Sequence, residues 1–244
     1  MSAAPEPAAQ PEPPAAPPRP ELPDPDFEVV GVSEVRHAAT PTLSFALRVT
    51  DASELDIYTI ALTAQIMIDP ARRYYDDSTR ERLEGMFGPP ERWAATTHSL
   101  LWQTAGFLVP SFSGEALFDI KVLCTYDLEL AAAKYFHSVQ DGDVPMSFHF
   151  TGRVLYTNRQ GRFQTVHVPW DRSARFGLPV QTWREMMDYH YPNADWARLD
   201  RGTLARLQLE QSQRGLPTLD ALVDELLPPE EAGPAAPASE EEAP

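Results

Sequence analysis

Three groups of residues in this 244-residue chain have the types and spacing to do chemistry. His137 precedes Asp141 and Asp143 in the segment His137-Ser138-Val139-Gln140-Asp141-Gly142-Asp143. An imidazole near two loop carboxylates can bind a metal ion or take a proton, and Glu185 could complete the set. The same letters also spell an Asp/Gly turn at a strand end. The turn is the preferred reading, with the site kept as the alternative. Cys124 is the second candidate. A nucleophilic cysteine needs a thiolate held by a cation or a helix N-terminus. In Val122-Leu123-Cys124-Thr125-Tyr126-Asp127 the alternation instead puts it on an apolar strand face, as a small core residue. The third group is 183–191. Arg184 and Asp188 stand at the i, i+4 spacing of a surface helix pair. Glu185 and Asp188 could pair as carboxylates, and Trp183, Tyr189, Tyr191 and Trp196 form a dense aromatic group. Most of that group is expected at the seam between helices and sheet. Any exposed part would mark a partner surface.

What is missing narrows the chemistry further. The six histidines (His37, His98, His137, His149, His167, His190) include no pair at i, i+2 or i, i+4. His149 falls on the polar side of its strand. There is no phosphate-binding glycine loop, dinucleotide fingerprint, nucleophile elbow or zinc-ligand pattern. A single cysteine excludes an intramolecular disulfide. No catalytic residue, cofactor or metal is therefore expected.

The elements that would position these residues follow from apolar period. Residues 27–35 form a strand with Gly31 at a bulge. Leu43, Phe45, Leu47 and Val49 alternate as a second strand, and Ile60, Leu62, Ala64, Ile66 and Ile68 as a third. The Asp51–Glu54 stretch reads as a turn that would pair the two as a hairpin. Residues 78–87 switch to a helical stripe, with Ser78 and Glu81 as a capping box and Gly88-Pro89-Pro90 as the stop. A strand from about 100 to 109 follows. The longest alternation, 118–130, carries Phe118, Ile120, Val122, Cys124, Tyr126, Leu128 and Leu130 on one face. Residues 146–156 and 163–168 make a hairpin across Asn158 and Gly161. About seven strands of this kind predict an antiparallel β-sandwich. After Trp170 the period turns helical. One helix has Pro179 at its start and Val180, Trp183, Met187 and Tyr191 on a face. A second over 201–213 is capped by Asp200, with Leu204 and Leu207 facing in. A third over 218–227 ends at Pro228-Pro229. These three short helices are expected to pack on the sandwich, in one domain over 27–227.

Outside that span the composition changes. Of the 25 prolines, ten lie in residues 1–26 and five in 228–244. Both tails are Ala/Pro/Glu mixtures, expected to be disordered with polyproline II character. The net charge of −16 divides the same way. The first tail sets five acids against Arg19, and the last holds five glutamates, leaving −7 for the middle. This balance opposes binding to nucleic-acid phosphates or an anionic membrane. The first residues have neither the basic start nor the apolar run of a secretory signal, and no stretch suits a membrane helix. A soluble, cytoplasmic protein is expected.

Several blocks in order, over about 27–227, are similar to a bacterial family of unknown function from high-GC Gram-positive organisms. They are Pro41-Thr42-Leu43 through Val49, residues 66–70, Leu101-Trp102, Val109-Pro110, Cys124-Thr125-Tyr126-Asp127, residues 131–137, Val168-Pro169-Trp170 and residues 183–188. The resemblance implies a gene neighbourhood of [NiFe] hydrogenases and their maturation, hence an accessory role. It brings no assigned activity, and the chain lacks the Cys and His clusters of a metal chaperone. The leading expectation is a non-catalytic interaction or accessory module with a protein partner. The alternatives are an enzyme built on His137, Asp141, Asp143 and Glu185, or a carrier of a small apolar ligand.

Overall fold

A computed structural model describes residues 22–124, 130–192 and 199–227. The expected class holds: two antiparallel sheets of eight strands in all, with most helices in the C-terminal half. The described residues fall into two compact units that divide between residues 194 and 195.

The first unit holds both sheets. The smaller is ordered β1–β2–β5, from β1 (Asp26–Glu34), β2 (Thr42–Thr50) and β5 (Glu115–Leu123). The larger runs β4–β3–β6–β7, from β3 (Asp56–Ile68), β4 (Leu100–Val109), β6 (Asp143–Thr157) and β7 (Phe163–His167). An eighth strand, β8 (Ser173–Pro179), also pairs with β6. Strand alternation explains the core, because one parity of each strand faces the opposite sheet. Leu43, Phe45, Leu47 and Val49 are fully buried, as are Ile60, Ala64, Ile66 and Ile68 and, from β6, Phe148, Phe150 and Val154. Gly152 keeps that parity. A Cβ there would drive into the Ala61 carbonyl oxygen of the neighbouring strand, so the close approach requires glycine. Register shifts at Val29/Gly31 and Ile57/Thr59 mark bulges in β1 and β3.

The hairpin expected between the second and third strands does not form. β2 pairs with β1 and β5, whereas β3 pairs with β4 and β6. The link between them is a corner from sheet to sheet. The buried Asp51 carboxylate accepts bonds from the Ser53 N–H and hydroxyl, and also from the Asp24 N–H at 2.7 Å. Its own N–H donates to Gly114 O. A short Asp-initiated turn is common to hairpins and corners, so spacing alone did not separate them.

Helix α1 (Asp77–Phe87) is where the stripe predicts, but the cap is Asp76, whose carboxylate accepts the Thr79 N–H at 2.8 Å. Ser78 lies inside the helix and turns its hydroxyl to Asp76. Gly88, at φ 78°, ends it. A four-residue helix, α2 (Trp93–Thr96), precedes β4. The long alternation holds as far as Cys124; residues 125–129 lie outside the described part. Leu130, expected at the end of that strand, begins helix α3 (Leu130–Ser138). Three successive alanines favour helix over strand there. β8 was also unforeseen. Its residues Ala174 and Leu178 are buried beside β6, and Pro179 caps α4 (Val180–His190) at the strand end. α4 buries Val180, Trp183, Met186 and Met187 and packs on β1, β2 and β8.

The second unit holds α5 (Arg201–Arg214) and α6 (Leu219–Leu226). Asp200 caps α5 by accepting the Gly202 N–H, and Gly215 at φ 67° closes it in the left-handed conformation. Leu204 and Leu207 are half-buried, and Arg214 pairs with Glu210 and with Glu225 of α6.

Candidate functional site

The structure gives the members of the His137 set different neighbours. His137 sits on α3 rather than at a strand end, with its ring edge-on to the Trp183 indole at 5.1 Å. Asp141 turns to Arg73, whose Nη2 donates to both its carbonyl and carboxylate, while Nη1 donates to the Asp143 carbonyl. Arg73 thereby pins the loop between α3 and β6, where Gly142 takes φ 64°. The Asp143 carboxylate lies over Gly177 of β8. Glu185 accepts the Gln181 amide, and Arg184 reaches the Val139 carbonyl instead of the expected Asp188. Among the described residues, no three His, Cys, Asp or Glu side chains converge as a metal would need.

Cys124 is buried, and burial pushes its thiol up to about 12. A thiol held neutral is a poor nucleophile. Of the aromatic group, Trp183 is buried against Phe136 with rings stacked at 4.9 Å, while Tyr189 is exposed and contacts His37. Trp196 lies outside the described residues. Nearby, the buried phenols of Tyr75 and Tyr135 lie 2.6 Å apart, and Tyr75 donates to Pro70 O at 2.8 Å. Burial raises both phenol pKa values. This is a satisfied polar network within an aromatic core that also includes Phe87 and Trp93.

The outward face of the larger sheet is different in kind. Across its five strands only Asp56 and Asp143 are acidic, each the first residue of its strand. Against 36 acids in the chain, that leaves the body of the face without a carboxylate. The smaller sheet shows the usual mixture, with Glu28 and Glu115 both paired to Arg48. Register defines the face row by row. Leu108, Ala61, Arg153 and His167 stand side by side; the next row is Gly106, Thr63 and Thr151; the next is Thr104, Gln65, His149 and Ser173. Most of these side chains are exposed. At one end the exposed rings of Tyr58, on the β3 bulge, and Phe163 meet edge-on at 5.5 Å. Leu155 stands opposite Thr59, next to Tyr58 in sequence, and Leu108, 65% exposed, lies in the Ala61 row. The arrangement presents a guanidinium, two imidazoles, hydroxyls and apolar rings to whatever meets the face. Composition could not reveal it, because the acid-free positions alternate with core residues along five separate strands.

A family model described as a family of unknown function, DUF6084, matches residues 22–235. No curated protein matches the chain.

Proposed function

We propose that the chain, which belongs to this DUF6084 family of unknown function, is a non-catalytic module that holds an acidic protein partner on the outward face of its larger sheet. The observation that carries the reading is that face itself: Arg153 opposite His167, with His149 nearby, threonines between, an apolar end at Tyr58 and Phe163, and no carboxylate among them. Arg153 meets no carboxylate across these rows, and a partner's carboxylate would neutralise it. Apolar rings on the same face as an unpaired guanidinium suit an interface core with a charged rim. The family resemblance points to hydrogenase or other redox complexes in the cytoplasm as the partner class.

The test compares capture from native lysate by the wild-type chain, by Arg153→Glu on this face and by Lys121→Glu on the other sheet. A partner held by the first and third, lost from the second and released by salt is the expected result. Equal capture by Arg153→Glu, or recovery of the chain alone, would overturn the reading.

A further inference from the structure

β5 forms an open edge of the smaller sheet. It pairs with β2 over its full length without a register shift, and no other strand is bonded to it among the described residues. The edge strands β1 and β4 each carry a bulge, and β7 has only five residues. Bulges and shortness keep a second chain from adding to an edge, and β5 has neither. Its backbone is also set for pairing. Just beyond its two ends, Asp51 N–H donates to Gly114 O at 2.7 Å and Cys124 N–H to Pro41 O at 2.8 Å. Both bonds follow the β2–β5 register, so the even-numbered residues of β5 bond to β2. The odd-numbered ones turn their N–H and C=O groups away from the sheet.

The side chains at these odd positions, Leu117, Asp119, Lys121 and Leu123, are exposed, and their order is its own complement about the buried Ile120. A second copy laid antiparallel on β5, with Ile120 facing the partner's Ile120 at the twofold axis, sets Asp119 opposite the partner's Lys121. It also sets Leu117 opposite the partner's Leu123, and symmetry repeats both pairs. Odd residues then face odd ones, as the exchange of backbone bonds requires. The two neighbouring registers that keep this parity set Lys121 against the partner's Lys121, or Asp119 against the partner's Asp119. Like charges directly opposite are unfavourable, so one register is selected. An edge lysine ordinarily keeps a second copy away. Asp119, two residues before it, turns that repulsion into attraction at this register alone. We propose that the chain forms a twofold dimer by antiparallel pairing of β5 with β5 of a second copy, which joins the two smaller sheets into one. This edge and the acid-free face belong to different sheets, so self-association and partner capture are read independently.

The test is sedimentation equilibrium of the full-length chain. One strand pair is a small contact, so the concentrations run from micromolar to millimolar. The mean mass of the wild type should climb toward twice that of the chain. Asp119→Lys and Lys121→Glu each set like charges opposite one another, twice per dimer, and should weaken association about tenfold. Mixing the two variants should restore it, because every reversed charge then meets its opposite. The double variant should self-associate as the wild type does. Recovery in the mixture also shows that both variants are folded. A wild type that stays monomeric overturns the proposal. So does a dimer that survives both single reversals, or a mixture that associates no better than its parts.

Discussion

Tyr135 and Tyr75 form a two-link chain of hydroxyls that ends on the Pro70 carbonyl. Tyr75→Phe should leave a buried hydroxyl and a buried carbonyl short of a partner, at a cost of about 1–3 kcal/mol read from the urea midpoint. Gly152→Ala should cost about as much through overpacking against Ala61. Cys124 supplies a pH prediction. Its folded thiol titrates at about 12, whereas a cysteine in an unfolded chain titrates near ~8.5. The folded state binds the proton more tightly, so the stability gained is complete below the unfolded pKa and is lost as pH rises through the folded one. The buried phenols act in the same direction. Stability should therefore fall on the alkaline side, and a thiol reagent at pH 8 should label Cys124 only as fast as the chain unfolds. Rapid labelling of the folded protein would contradict this. The sequence made Cys124 legible through parity alone. It did not show Arg73 or Arg172, whose guanidiniums hold the Asp143 and Pro25 carbonyls, because arginines that serve distant backbone carbonyls leave no local pattern.

Single elements were easier to read than their pairings. Alternation located β2, β3, β4 and the β6–β7 hairpin, and the helical stripe located α1 and α4. It failed where two structures share one local code. Asp51 begins a turn that suits either a hairpin or a corner, and the long-range bond to Asp24 belongs to the corner that forms. Asp51→Ala should cost about 3 kcal/mol, since a buried carboxylate with several donors is lost. It should also loosen the chain at Asp24, seen as faster exchange of the Asp24 amide. Amide protection unchanged at both ends of the corner would count against that role. The sheet face was invisible for a related reason: it is assembled from β4, β3, β6, β7 and β8, and only the register brings Arg153 beside His167.

For the whole molecule, charge is the informative quantity. The chain is strongly acidic, yet one broad sheet face carries no carboxylate between its ends. Both ends of the sequence carry the excess glutamates and prolines. We expect a broad-specificity protease to trim those ends quickly and leave a core spanning about 27–227. An early cut near residue 195, giving two stable pieces, would instead assign the two compact units separate stability.

The larger sheet also sets the order in which the chain is made. β3 pairs on one side with β4, but its other neighbour is β6, with Thr63 opposite Thr151. At a ribosomal rate of about 5–20 residues per second, the partner emerges about 4–18 seconds later. Until then the Ile60–Ile68 alternation has an unsatisfied backbone edge and an uncovered apolar side. Such long-range pairing also places the fold among the slower ones, in the millisecond-to-second range. The nascent chain is thus most exposed to aggregation while β6 is still being synthesised, and stalling before residue 157 should leave a product that depends on chaperones.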